Sequence, residues 1–193
     1  MRIRSKWLKG TASVTDNANA LAYIIWQIAL EQTKNLHRED FIYHDDTQRM
    51  NVLKEYLFLL VHIADRLTFQ FFDTNARRDF VTTLAQSTAR HLQRNLEDVW
   101  GHDQDYKNDY IANLNKRIEE YSELGFTAGE PSYSMLRTLG RHIQDLMGAN
   151  QTNRWIIDHV MEIDAKTAIV ELKKGLDNLL GTTTILDGFR APE

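Results

Sequence analysis

Cysteine is absent from all 193 residues of this chain. That excludes disulfide frameworks, thiolate zinc sites, iron–sulfur clusters and a cysteine nucleophile. Proline occurs only at Pro131 and Pro192, so nothing in the first 130 residues forces a helix to break through that residue. No GxxxxGK[ST] loop, GxGxxG turn, HExxH, GxSxG or EF-hand loop is present. The paired ExxH motifs of di-iron bundles are missing too. These absences remove the commonest recognisable enzyme classes and leave other enzymes open. The longest apolar runs, Ala20–Leu30 and Tyr56–Ala64, fall short of the ~20 residues a membrane-spanning helix needs. The N-terminal residues also lack the apolar core of a secretory signal, and a cytoplasmic location is expected.

A hydrophobic content of 42% and a charged content of 26% are ordinary for a globular domain. At this length a single domain buries roughly 70% of its unfolded surface and needs no metal merely to hold together. The net charge is −4 and unevenly placed: residues 1–10 carry Arg2, Arg4, Lys6 and Lys9 without one acid. The remainder is therefore twice as acidic as the whole, which argues against nucleic acid as a partner. The basic arm, residues 1–14, reads as a solvated terminus or as an interaction element in which Arg2, Arg4, Lys6 and Trp7 meet an acidic partner.

Periodicity predicts an all-α antiparallel bundle of about six helices over residues 15–180, followed by a tail, 181–193. The first helix opens at Thr15–Asp16 and carries Leu21, Ile24, Ile25, Ile28 and Ala29 at i, i+3, i+4, i+7 and i+8. The second ends near Phe72, and the third runs from Asn75 to Trp100. The fourth carries Tyr110, Leu114, Ile118 and Tyr121. Residues 126–132 (FTAGEPS) read as the longest loop, Ser132 as the cap of the fifth helix, and Thr152–Leu180 as the sixth, stopped by Gly181.

The segment Met50–Asp73 is the most informative. It is apolar on nearly every side, with Glu55, His62, Arg66 and Asp73 forming one thin ionisable line and Asp65 beside it. A helix of this kind belongs in the middle of a domain, where charges need partners. Five of the seven histidines have an acid three residues on: His37/Asp40, His62/Asp65, His102/Asp105, His142/Asp145 and His159/Glu162. On a helix that spacing shares a face, suiting either a metal or a surface ion pair. Asp164 and Glu171, one heptad apart on the inner side of the sixth helix, complete a candidate set. Glu55, His62, Asp65, Asp164 and Glu171 would supply the imidazole and carboxylates that iron, manganese or zinc accepts. Over two residues each, His44–Asp45 and His102–Asp103 resemble the metal-binding dipeptide of HD-domain phosphohydrolases. In that family the dipeptide closes an apolar helix, whereas here both copies lie in polar joints.

Two functional expectations follow. The first is a non-enzymatic interaction or accessory module with a protein partner or a second copy of itself, since helix two has more apolar surface than one neighbour covers. The second is a metal-binding bundle, or a metal-dependent enzyme, using the inter-helix set above; no cofactor is otherwise expected.

Overall fold

The computed structural model describes residues 12–39, 41–148, 155–182 and 185–186. Arg2, Arg4, Lys6 and Trp7 lie outside these residues. The described chain is an all-α bundle of α1 (Val14–Arg38), α2 (Asp46–Thr68), α3 (Thr74–Trp100), α4 (Tyr106–Ser122), α5 (Tyr133–Met147) and α6 (156–180). Its helix starts follow local chemistry. Ser13 closes a capping box with Asp16, while Asp45, Asp73, Asp105 and Ser132 accept the free amides of α2, α3, α4 and α5.

Helix α2 is the central pillar. It packs against each of the other five helices, and Tyr56, Leu57, Phe58, Leu59, Leu60, Val61 and Ile63 are buried in near-unbroken succession. At about 1.5–3 kcal/mol per fully buried large apolar side chain, this run anchors the core. Glycines set two close approaches: a Cβ on Gly140 would meet the Ile157 backbone at 3.1 Å, and one on Gly175 would meet the Ile24 side chain at 3.1 Å.

Three local features differ from the periodicity reading. First, α2 stops at Thr68 instead of near Phe72, because Phe71 N–H turns back to the Thr68 carbonyl (3.0 Å) and Asp73 caps α3. Asp73 therefore leaves the ionisable line. Second, residues 126–131 form a tight hairpin, β1 (Phe126–Thr127) against β2 (Glu130–Pro131). Ala128 and Gly129 both have positive φ (52° and 78°), the signature of a type I′ turn; an Ala-Gly pair does not advertise that turn as Asn-Gly would. Third, α6 is not uniform: Ile156–His159 and Ala165–Leu180 are α-helical, while Val160–Asp164 is a π turn.

Helix α6 ends as expected at Gly181, in the left-handed conformation. The start of the tail is fastened. Asp177 accepts the amides of Ile185 (3.1 Å) and Leu186 (2.9 Å), and Ile185 is fully buried.

Candidate functional site

The five residues of the expected metal set do not converge. Glu55 is buried and held by Arg117 of α4 through both oxygens (2.8 and 2.9 Å). Asp65 is held in the same bidentate manner by Arg77 of α3 (2.6 and 2.6 Å). Asp164 accepts the Tyr56 hydroxyl (2.8 Å), and Glu171 is exposed. His62 is 3% exposed, and neither ring nitrogen has a hydrogen-bond partner. Among the described residues, no group of three or more His, Asp and Glu side chains is placed to hold a metal ion. The spacing put these groups on compatible faces, but arginines on neighbouring helices reached the carboxylates first.

The His/acid spacing resolves the same way. His142 pairs with Glu120 (2.8 Å), His102 with Glu97 (3.5 Å) and His159 with Asp164 (3.4 Å). Asp65 serves Arg77 and Glu162 serves Lys166. Of the four pairs that fall within described residues, none uses the acid three positions on; Asp40 lies outside them. The dipeptides are solvent-facing, Asp45 acting as a cap.

Burial sets the electrostatics of what is left. His62 is pulled down to about 4, first by desolvation and then by the neighbouring Arg66 charge, with Asp65 opposing. Its ring stands against Tyr121 (centroids 5.6 Å apart). Asp164 is raised by burial, against the Tyr56 hydrogen bond and the His159 charge, which favour its ionised form. It sits on the π turn, 1% exposed, and its Oδ1 lacks a hydrogen-bonding donor. The joint between α1 and α2 roofs this cluster: Phe41 packs edge-on to His159 (5.1 Å), and Tyr43 donates to the Thr33 carbonyl (2.9 Å). Tyr43 also lines a cleft of about 630 Å³ with Lys34, Arg38, Asp46 and Arg49. The cations of that cleft are largely matched, Arg49 by Asp46 and Arg38 by Glu31.

A second assembly stands at the corner where α2 turns into α3. Phe69, just beyond the end of α2, is 65% exposed. The Arg77 guanidinium lies over its ring, 4.9 Å from the centroid, and the two Asp65 oxygens lock that guanidinium in turn. Phe69 and Arg77 line a cleft of about 530 Å³ with Phe72, Asp73, Arg78, Val81 and Thr82. They also line one of about 410 Å³ with Arg66 and with Phe126 and Gly129 of the hairpin. Arg66 lies over the Phe126 ring at 5.5 Å. The sequence reading had singled out Asp65 and Arg66, but as members of the ionisable line. It did not bring Phe69 together with Arg77, because their contact depends on where α2 stops.

What the corner offers among the described residues is an exposed aromatic ring with arginines beside it. No known protein family model, curated protein or solved structure matches the chain.

Proposed function

We propose that this protein is a helical accessory module that works by binding a polypeptide partner, and that the α2–α3 corner is its contact surface. The observation that carries the reading is the setting of Phe69: a large apolar ring left in solvent, covered by the Arg77 guanidinium that Asp65 holds, and lining two clefts. Binding hot spots are built from aromatic and arginine side chains whose freedom is already restricted, because ordering them costs little at the moment of association.

The test is selection of displayed random peptides on the immobilised full chain, followed by titration of the winners. Peptides that dock on this corner lose at least about tenfold in affinity on Phe69→Ser, roughly 1.4 kcal/mol or more. They keep their affinity on Tyr133→Ser, which removes another exposed aromatic at the start of α5. Winners indifferent to Phe69→Ser overturn the proposal. Self-association in sedimentation that Phe69→Ser abolishes would make the partner a second copy.

A further inference from the structure

Resting on that reading, we infer that Lys173, a buried lysine of α6 that lines neither cleft, is a positioning residue for the docking surface: through Glu130 it holds the hairpin that walls the smaller cleft. The corner then carries one fixed cleft and one whose width is set from elsewhere. The first observation is the difference between the walls. The larger cleft is lined by residues between 65 and 82, the end of α2, the joint and the start of α3. Its walls are successive turns of two helices that pack on one another, and Asp73 caps the second. The smaller cleft takes Arg66, Phe69, Gln70 and Arg77 from the same corner, but its opposite wall is Phe126, Ala128 and Gly129 of the hairpin.

The second observation is how lightly the hairpin is moored. Its base is closed where the Ser132 amide donates to the Gly125 carbonyl (2.8 Å). Beyond the base, neither two-residue strand packs its backbone broadly on a helix. The hairpin is held by the Phe126 ring, half-buried under Arg66, and by Glu130, whose carboxylate accepts from Lys173 Nζ. Glu130 stands in register with Thr127, and Pro131 with Phe126. Whatever shifts Glu130 therefore shifts the wall of the cleft with it.

The third observation is the asymmetry of the ion pair. The Glu130 side chain is 63% exposed and the Lys173 side chain only 3%. A buried ammonium deprived of its carboxylate is far costlier than an exposed carboxylate deprived of its ammonium. The pair therefore works as a latch: either Glu130 stays on Lys173 and the wall stays in place, or the chain around Lys173 gives way until water reaches the ammonium. The hairpin, with the fewest moorings, is the part that gives.

The experiment uses the full chain. Because it has no cysteine, nitroxides can be placed at Thr127→Cys on the hairpin and at Arg94→Cys on the exposed side of α3, and the distance between them read by double electron–electron resonance. The parent should give one narrow distance. Lys173→Met, which replaces the buried charge by an apolar chain of similar length, should broaden it. Glu130→Gln, which strands the ammonium, should change it more, and the double variant should resemble Lys173→Met alone. Lys166→Met, which breaks the exposed Lys166–Glu162 pair on the same helix, should leave it unaltered. A library of random dodecapeptides displayed on phage and selected on the parent supplies the binding readout. Winners that need Phe69 should bind Lys173→Met and Glu130→Gln at least about fivefold more weakly than the parent. A distance that neither substitution alters, or Phe69-dependent winners none of which weakens, would overturn the latch and leave the docking surface standing. Winners indifferent to Phe69→Ser would overturn the docking surface, and the nitroxide distances would still decide the latch.

Discussion

His62 offers the sharpest quantitative test of how this core is built. Its imidazole is enclosed among α2 and α4 side chains with both nitrogens unpartnered, and its pKa lies at about 4, against 6.5 for a free histidine. The groups that face it are Arg66 and Asp65 on its own helix and Tyr121 on α4. Because the folded value lies below the unfolded one, the fold favours the neutral ring. The stabilisation is fully present above pH ~6.5 and is lost as pH falls through the window down to about 4. Each pH unit of that gap is worth about 1.4 kcal/mol. The protein therefore loses about 2 kcal/mol from this residue between pH 7 and 5, and about 3 kcal/mol by pH 4. His62→Leu removes the titration and two unsatisfied buried nitrogens in one step, so it is no less stable than the parent at pH 7. Urea unfolding at pH 7, 6, 5 and 4, followed by tryptophan fluorescence, separates this effect from every other titrating group through the difference between the two proteins. That difference should widen by about 3 kcal/mol in favour of His62→Leu. Two pH profiles running parallel within about 0.5 kcal/mol would refute the reasoning, since a buried neutral imidazole cannot leave them parallel.

Other consequences can be checked with the same unfolding assays. Asp164 titrates in the opposite sense: its folded pKa is raised by burial, so its contribution is present at low pH and is lost as pH rises through the folded value. Asp164→Asn should gain on the parent as pH climbs from 4 to 7, whereas Tyr56→Phe, which strands Oδ2 without its donor, should cost about 1–3 kcal/mol at pH 7. Gly140→Ala sets a new Cβ against the Ile157 backbone, which cannot move aside, and overpacking outweighs the gain in helix propensity by about 1 kcal/mol. Its melting temperature should fall by about 2–4 °C; at Gly175→Ala the obstacle is the Ile24 side chain, and differential scanning calorimetry should show a smaller loss. Glu55→Gln leaves the Arg117 guanidinium with only Glu120, at 3.5 Å, as its countercharge and should cost about 1–3 kcal/mol by the same urea titration.

Much of the architecture was legible because helix burial repeats locally. The stripe of α1, the all-round apolar α2, the cap at Ser132 and the stop at Gly181 are each decided within a few residues, and the structure bears them out. Helix two as a central pillar also followed from its composition alone. Partner choice was not legible. Asp65 lies three residues from His62 in sequence, but the geometry that decides its partner is the turn at 69–73, which brings Arg77 alongside. Glu55 likewise answers to Arg117, 62 residues away. The π turn did leave a trace that ordinary 3.6-residue counting hides. Ile156, Val160, Asp164, Ala168, Leu172 and Leu176 recur at strict intervals of four, and all are buried. On a uniform α-helix such a row would drift about 40° per step, some 200° in all, so a single face could hold it only if the helix were locally overlong.

That overlong turn makes the sixth helix unusually forgiving of one kind of mutation. A π turn holds one residue more than the α turn it replaces, so deleting a single residue within Val160–Asp164 would let the segment wind as regular α-helix while Ile156 upstream and Ala168 and Leu172 downstream kept their common facing. The same one-letter loss within Ala165–Leu180, which is regular α-helix, has no slack to absorb it and would swing everything upstream by roughly a quarter turn relative to everything downstream. Length is thus negotiable at the bulge and nowhere else along this helix.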